Sequence, residues 1–413
     1  MTGYRTLARN RDFTILWIGE TISELGSTMS MFAFPLLAYA LSGSALLTAA
    51  AEAAYLVGLV AALLPAGVAV DRTNRRTLML ATSGSGVVLY GSLAVAGTLG
   101  SLTIPHLLAV ALLTGIGAGV FGPAQTSAIR TVVSTEDLPT ALSQNQARQH
   151  VAGLLGGPLG GALYAATRWL PFAADALTFA VSFFTLSRLQ TDLSAPHRRE
   201  PGRTVRQDLV EGLRFVAGRP FFRVLLTWAA LANLVSNAVF FVALLRMVQH
   251  GFHPTEIGLV STAAGVGGIL GALAAPYLIE RLATGRLTVL IAWSLVPPLV
   301  PLIWWDSPLV VGACVFVLLL LNPAGIAGIG AYRIAVTPDE LQGRVAAASQ
   351  FVSMSMMPLA PVLGGLLLQQ YGGGVAVAAL VVATAAIALL VTTSRSIRSV
   401  PRPSEWGSRL ALR

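Results

Sequence analysis

Lysine is absent from this sequence, because all 27 of its basic residues are arginines. The absence excludes reactions that need a phosphate-loop lysine, a Schiff-base lysine or the lysine of a kinase. Charge of either sign is also scarce: charged residues make up 11% of the chain, against about 25% in soluble globular proteins. Cysteine occurs once, at Cys314, so no internal disulfide is expected. A water-facing surface cannot be assembled from so few charges.

The chain is instead rich in apolar residues. It is 413 residues long and 55% hydrophobic. A membrane-spanning helix needs about 20 apolar residues to cross a ~30 Å hydrocarbon core. We therefore predict an all-α membrane protein with twelve transmembrane helices in two pseudo-symmetric six-helix bundles. The first apolar run is too long for the core of a cleaved signal, so we interpret it as an anchor. The predicted spans are 13–39, 46–70, 77–99, 104–129, 140–165, 169–189, 221–248, 256–279, 287–305, 308–331, 342–370 and 373–393.

The arginines predict the orientation of these spans. All but three of the 27 fall in, or at span ends beside, the connections and termini on one side of the membrane, and the exceptions are Arg148, Arg168 and Arg246. Because cytoplasmic connections are enriched in Arg and Lys, both termini and the central loop are predicted to be cytoplasmic in a multi-pass protein of the cell membrane. The basic composition is thus a topology signal, and no nucleic-acid partner is expected.

Two halves of the chain repeat at an offset of about 200 residues, the arrangement of rocking transporters that hold substrate near the membrane midplane. Gly122-Pro123-Ala124 corresponds to Asn322-Pro323-Ala324, and Asp71-Arg72 to Glu280-Arg281. The predicted domains are an N-terminal bundle at 1–189, a central loop at 190–220 with an amphipathic helix, a C-terminal bundle at 221–393 and a basic tail at 394–413.

The segment from Gly67 to Arg76 reads GVAVDRTNRR and resembles the loop signature G-x-x-x-D-R-x-x-R-R of the major facilitator superfamily. Further stretches resemble its branch of macrolide-efflux and enterobactin-exporter proteins: RNRDF at 9–13, LSGSA at 41–45 and DALTF at 175–179. The antiporter signature GP-x-x-GG is matched in part, since Gly157-Pro158 is followed by Gly161-Ala162. The resemblance implies a drug:proton antiporter that works by alternating access, and it alone supplies the direction of export.

The same loop is a candidate cytoplasmic gate. The resemblance implies that Asp71 approaches the start of span eleven at Thr337-Pro338-Asp339-Glu340, either at the helix end or through an arginine–acid contact. The alternative is that the loop only anchors topology. The gating candidates are Gly67, Asp71, Arg72, Arg75, Arg76, Glu280 and Arg281.

Acids within the spans are candidates for proton coupling. Glu20 and Glu24 are four residues apart and share one helical face. An ionised carboxylate at membrane depth costs at least ~2.5 kcal/mol, and two close carboxyls titrate as a unit. Arg148 lies at a comparable depth and is placed to keep one of them ionised. A static ion pair or a polar cavity lining is the alternative. Asp175 is a further candidate, although a hydrogen-bonding role is favoured for it.

Other polar and aromatic residues in the spans are candidates for lining a substrate cavity, with interhelical hydrogen bonding as the alternative. They are Phe32, Gln144, Asn145, Gln149, Asn233, Asn237, Phe241, Asn322 and Gln350. Small residues and prolines in the spans predict close helix packing. They are Gly115, Gly119, Gly157, Pro158, Gly161, Gly267, Gly271, Pro361, Gly364 and Gly365.

The sequence therefore predicts a monomeric, proton-coupled exporter of amphiphilic small molecules such as a drug, siderophore or secondary metabolite. An importer or a lipid flippase of the same fold is the first alternative. A membrane enzyme or sensor is the second, and it is disfavoured because the loops are short and carry no nucleophile elbow or His–acid pair. No cofactor and no metal site is expected. His250 and His253 have a spacing that could suit a metal, but no cysteine or pair of acids accompanies them in the sequence.

Overall fold

The computed structural model describes residues 2–134, 136–194, 205–338 and 341–406. The described residues contain helices and no strand, which confirms the predicted all-α class. The helices up to the central loop are α1 (Thr2–Arg9), α2 (Arg11–Ser42), α3 (Ala45–Arg72), α4 (Arg75–Thr98), α5 (Ile104–Val132), α6 (Leu138–Ala166) and α7 (Leu170–Ser187). The remaining helices are α8 (Val205–Ala217), α9 (Pro220–Gln249), α10 (Pro254–Arg281), α11 (Thr284–Ser294), α12 (Pro308–Leu320), α13 (Asn322–Ala335), α14 (Gln342–Met354), α15 (Leu359–Tyr371), α16 (Gly373–Thr393) and α17 (Arg395–Arg398).

Eleven segments of the described chain are long and apolar enough to cross a membrane. They match eleven of the twelve predicted spans, with α12–α13 and α14–α15 each forming one segment. The missing span corresponds to α6, which is a continuous helix of 29 residues. Its polar run from Ser143 to His150 lowers its hydropathy, and polar residues at membrane depth commonly mark functional positions.

The chain divides into two compact units. The first comprises Met1–Arg199 with Gly251–Thr262, and the second comprises Glu200–His250 with Ala263–Arg413. Helix α10 therefore begins in the first unit and continues in the second. The amphipathic helix predicted in the central loop is α8, and it packs in the second unit against α14.

In the first unit, α3 and α5 pack backbone against backbone. A Cβ atom on Gly115 would lie 2.1 Å from the carbonyl oxygen of Tyr55, and one on Gly58 would lie 2.2 Å from that of Leu112. Gly119 is equally restricted, because its Cβ would lie 2.6 Å from the carbonyl oxygen of Leu59. Only glycine permits these approaches, as expected for small residues at transmembrane helix contacts.

The arginine-rich end of the first unit is fixed by polar caps. Asn10 accepts a bond from the backbone N–H of Phe13 at 3.0 Å and donates to the carbonyl of Val132 at 2.9 Å, which ties the start of α2 to the end of α5. Asp12 accepts bonds from the backbone N–H groups of Gln190 and Thr191 at 3.0 and 2.7 Å. The chain after α7 is thereby held against the first unit.

In the second unit, proline interrupts several spans. Two short 3-10 turns, Pro297–Leu299 and Pro301–Ile303, follow α11. The break between α12 and α13 lies beside Pro323, and the break between α14 and α15 lies beside Pro358. Proline has no N–H to donate to the preceding turn, so these helices stop and restart. By contrast, Pro123 and Pro158 lie inside continuous helices of the first unit.

Part of the predicted basic tail is ordered against the second unit. The backbone N–H groups of Thr284 and Gly285 donate to the carbonyls of Pro401 and Val400 at 3.2 and 3.1 Å. The indole of Trp406 donates to the same Pro401 carbonyl at 3.1 Å. Residues 407–413 lie outside the described part of the chain.

Large apolar side chains cover much of the surface of both units. Val88, Leu273 and Leu309 each expose more than two-thirds of their area. Trp304 and Trp305 are also exposed, and tryptophan is enriched where a membrane protein meets the membrane–water interface. Such a surface suits a hydrocarbon environment and not water.

Candidate functional site

A cavity of about 200 Å³ lies within the first unit, among helices α2 to α7. Its lining mixes polar and apolar side chains and includes both predicted glutamates. The polar lining residues include Glu20, Ser23, Glu24, Ser27, Gln125 and Gln149. The apolar and aromatic lining residues include Met31, Tyr55, Tyr90, Phe121 and Phe179. This pairing of apolar surface with a few polar groups is typical of small-molecule sites.

Glu20 is the better held of the two glutamates. It is only 4% exposed, and its two carboxylate oxygens accept different bonds. The Ser182 hydroxyl donates to Oε1 at 2.9 Å, and the Gln125 amide donates to Oε2 at 3.3 Å. Ser182 in turn contacts the Ser83 hydroxyl at 3.1 Å. A buried carboxyl is thereby joined to three further helices by hydrogen bonds.

Glu24 lies one turn further along α2 and is half-buried at the cavity surface. The spacing of four residues places both acids on one face, as the sequence predicts. Both line the cavity, but their surroundings differ: Glu24 is half-buried, whereas Glu20 is almost fully buried and hydrogen-bonded to Ser182 and Gln125. The two carboxyls therefore have different access to a molecule in the cavity.

Arg148 on α6 is 3% exposed and lies within electrostatic range of both glutamates. Its Nη2 donates to the side chain of Asn145 at 2.8 Å. Among the described residues, no direct ion pair joins Arg148 to either glutamate. Instead, Glu20, Gln125, Asn145 and Arg148 surround a gap of about 10 Å³, which is about the size of one water molecule. The arginine thus compensates the acidic cluster through space.

Asp175 lies apart from the cavity lining. It is completely buried, and Thr178 donates a hydrogen bond to its Oδ1 at 3.0 Å. A Cβ atom on Gly26 would lie 2.6 Å from the same oxygen, so α2 approaches α7 closely at this point. Ser27, which follows Gly26, lines the cavity. The other carboxyl oxygen of Asp175, Oδ2, is buried without a hydrogen-bond partner among the described residues.

The predicted cavity residues separate into groups. Gln149 lines the cavity, Asn145 binds Arg148, and Phe32 and Gln144 are half-buried in the first unit. In the second unit, Asn233 donates to the carbonyl of Ser353 at 3.2 Å, which is an interhelical bond of the kind that the alternative interpretation expects. Asn237 donates to the carbonyl of Asn233 at 2.8 Å, within its own helix. Gln350 donates to the Met354 sulfur at 3.1 Å, and Asn322 is half-buried at the start of α13.

Phe241 requires a correction. It was predicted to line a cavity, but it is 1% exposed and packs beneath Gly364, whose added Cβ would lie 3.3 Å from its ring. An aromatic residue in a span fits a packing position as well as a cavity wall, and hydrophobicity alone does not distinguish the two.

Two arginines of the predicted gating loop have partners within their own unit. Arg75 is buried, and its Nη1 donates to the carbonyl of Ser194 at 3.4 Å. Arg76 donates from Nε to the carbonyl of Leu186 at 3.1 Å and also bonds the carbonyl of Ser187. Both residues therefore fasten the α3–α4 connection to the end of α7.

The other gating candidates differ in what the structure describes. Arg72 and Glu280 are exposed, and Arg281 stacks over the Tyr277 ring at 4.0 Å. The side chain of Asp71 and the placement of Gly67 lie outside the described part of the chain, as do Asp339 and Glu340.

Most of the predicted packing glycines meet a neighbouring backbone. Besides Gly115 and Gly119, five more glycines lie so close to a neighbouring helix that an added Cβ would be within 3 Å of a carbonyl oxygen. The contacts are Gly157 to Gly258, Gly161 to Pro254, Gly267 to Phe316, Gly271 to Leu320 and Gly364 to Ala238. Pro158 lies inside α6, while Pro361 and Gly365 are buried in α15.

Sequence reasoning missed the partners of Glu20. Gln125, Ser83 and Ser182 are all buried, and each lies in a predicted span. A glutamine in a span is a detectable signal, because a polar side chain at membrane depth needs a partner. The serines give no such signal, since a serine in a helix can satisfy its hydroxyl with a carbonyl of its own helix. Among the described residues, no group of three or more metal-ligating side chains occurs.

A helical membrane protein with an internal repeat and a cavity lined by intramembrane acids belongs to the class of polytopic membrane transporters. Comparison with protein families agrees with this class: the model of the Major Facilitator Superfamily matches residues 16–357, and the chain belongs to that family.

Similar proteins and structures span nearly the whole chain. The multidrug efflux pump Tap of Mycolicibacterium fortuitum is 28% identical over 370 residues, covering 84% of this chain and 87% of that protein. Tap of Mycobacterium tuberculosis (strain ATCC 25618 / H37Rv) is 28% identical over 392 residues, covering 89% of each.

Among solved structures, the nucleoside transporter NupG has a TM-score of 0.71 at 10% identity, covering 93% of this chain and 98% of NupG. A bacterial homologue of the iron transporter ferroportin in an inward-facing state has a TM-score of 0.67 at 18% identity, covering 94% of this chain and all (100%) of that one. These likenesses establish a shared fold.

Proposed function

We propose that this protein exports amphiphilic small molecules across the cell membrane in exchange for protons. The observation that carries the proposal is the cavity of the first unit, whose lining combines aromatic side chains with two intramembrane carboxyls that lie near the buried Arg148. Exchangeable acids inside a membrane commonly serve proton relays. The export direction is supported by the similar proteins named multidrug efflux pump.

The two glutamates receive different roles in this proposal. Glu20 carries the proton, because its carboxyl is buried and its hydrogen bonds hold it in place. Glu24 faces the cavity and contacts the transported molecule or passes the proton towards Glu20. Arg148 compensates the negative charge of the cluster when a carboxyl is ionised.

The termini and the central loop are placed in the cytoplasm on the distribution of arginine. On that orientation the α3–α4 connection is cytoplasmic. Because Arg75 and Arg76 are held by carbonyls at and beyond the end of α7, we assign them to anchoring. Asp71, Arg72, Glu280 and Arg281 remain the candidates for residues that change partners as the protein opens and closes.

Two measurements test the proposal. Expression in a pump-deficient bacterium should lower the accumulation of at least one compound of an amphiphilic drug panel and raise resistance to it. In liposomes containing the purified protein, Glu20→Gln should abolish transport driven by a pH gradient while sparing counterflow at equal pH. Glu136→Gln is the matched control, because Glu136 is an exposed acid of a connection.

Three outcomes would contradict the proposal. Unchanged accumulation across the panel would refute export of such compounds. Greater accumulation would indicate an importer. Gradient-driven transport that persists in Glu20→Gln would remove Glu20 as the proton carrier.

A further inference from the structure

Behind Glu20 lies a short chain of two serine hydroxyls. Ser182 on α7 and Ser83 on α4 are both fully buried, and their Oγ atoms are 3.1 Å apart. Ser182 also contacts Glu20 Oε1 at 2.9 Å, whereas Ser83 reaches the glutamate only through Ser182. The chain therefore runs from the carboxyl on α2 through α7 to α4.

The direction of these hydrogen bonds depends on the proton of Glu20. A hydroxyl has one proton to donate, and an ionised carboxylate can only accept. With Glu20 ionised, Ser182 must donate to it and is then free to accept from Ser83. With Glu20 protonated at Oε1, the carboxyl can donate to Ser182, whose own proton then turns towards Ser83. Ser83 must in that case donate elsewhere, and a carbonyl one turn earlier in α4 is within reach of a helical serine.

The helices joined by this chain also form the cavity wall. Gly86 on α4 and Phe179 on α7 both line the cavity, and a Cβ atom on Gly86 would lie 2.7 Å from the Phe179 ring. Phe179 precedes Ser182 by three residues and thus lies on the same side of α7. The hydroxyl chain therefore lies beside a close contact of α4 and α7 at the cavity.

We propose that Ser182 and Ser83 are positioning residues for proton coupling: through their hydroxyl chain they set the pH at which Glu20 exchanges its proton. This inference rests on the proposed function of Glu20. Ser182 stabilises the carboxylate directly, and Ser83 does so by orienting Ser182. The charged groups facing Glu20 are Glu24 on α2 and Arg148 on α6. Glu24 and Arg148 act on Glu20 equally in both serine variants, because neither of them contacts Ser182 or Ser83.

The experiment measures the pH profile of gradient-driven drug transport in liposomes. Ser182→Ala removes a donor from a carboxylate, so the midpoint of the profile should move to higher pH by about one unit, corresponding to a hydrogen bond to a charged group. Ser83→Ala should move it in the same direction by less. In the double variant, Ser83→Ala should add nothing to Ser182→Ala, because Ser83 acts only through Ser182.

Two further variants separate positioning from packing. Ser182→Thr retains the hydroxyl and should keep the midpoint of the unmodified protein. Thr384→Val is the matched control: Thr384 is buried in α16 and bonds only a carbonyl of its own helix, that of Leu380 at 2.8 Å. Counterflow at equal pH, measured for every variant, reports whether the protein is folded and active.

The outcomes distinguish this inference from the proposed function. If Glu20→Gln loses gradient-driven transport while Ser182→Ala keeps an unchanged midpoint, the inference is wrong and the role of Glu20 stands. If Glu20→Gln retains that transport, the role of Glu20 is wrong and the inference falls with it. Additive shifts of the midpoint in the Ser182→Ala and Ser83→Ala variants would also refute the inference. If Ser182→Ala gave no active protein, an unchanged midpoint in Ser83→Ala would refute it.

Discussion

Replacing Gly115 by alanine should weaken the first unit. The added Cβ would lie 2.1 Å from the Tyr55 carbonyl oxygen, so α3 and α5 must separate by about 1 Å to restore an ordinary contact. A backbone carbonyl cannot rotate away as a side chain can. Overpacking of this kind costs about 1–3 kcal/mol, and alanine in a helix returns about 1 kcal/mol relative to glycine. A net loss of up to about 2 kcal/mol is expected.

The assay is thermal unfolding of the detergent-purified protein, followed by the loss of the monodisperse chromatographic peak. Gly91→Ala is the matched control, because Gly91 lies in α4 and nothing approaches its added Cβ within 4 Å. It should equal or slightly exceed the unmodified protein in stability. Since Tyr55 lines the cavity, Gly115→Ala should also weaken drug binding. If Gly115→Ala melted at or above the temperature of Gly91→Ala, the inferred backbone contact of α3 and α5 would be wrong.

Two further substitutions test individual contacts. Asp306→Asn should lower the unfolding temperature, because Asp306 contacts the buried Arg246 at 3.5 Å and an unpaired buried cation is unfavourable. An unchanged unfolding temperature in detergent would show that Arg246 needs no counter-charge. Asp175→Asn should retain gradient-driven transport, since an asparagine oxygen can still accept the Thr178 bond; loss of transport with normal expression would assign Asp175 to proton coupling.

Hydropathy and the internal repeat were sufficient to predict the helical class and nearly all the spans. They worked because lipid requires every spanning backbone group to bond within its own helix, which leaves long apolar helices as the solution for this composition. Span five is the exception: its polar run lowers its hydropathy, so it is missing from the eleven apolar segments although α6 is a continuous helix there.

The partners of the site could not be read in the same way. Glu20 and Glu24 stood out because a carboxyl is rare at membrane depth. Which of them is enclosed depends on Ser182, which is far away in sequence and is one of many serines in the spans. The same limit explains Phe241: its neighbour Gly364 creates the space it fills, and that contact arises only after α9 and α15 have packed.

The repeat also predicts more symmetry than the structure contains. In the first unit the spans are continuous through Pro123 and Pro158, and this unit holds the intramembrane acids Glu20, Glu24, Glu52 and Asp175. In the second unit, helices α11 to α16 carry no acid within the described residues, yet spans there are interrupted beside prolines. Continuous helices suit a rigid network that must hold carboxyls in fixed geometry. Interrupted helices have fewer backbone hydrogen bonds at each break and bend there more readily. The two repeats thus differ: most intramembrane acids of the described residues lie in the first, and the interrupted spans, where bending is easiest, lie in the second.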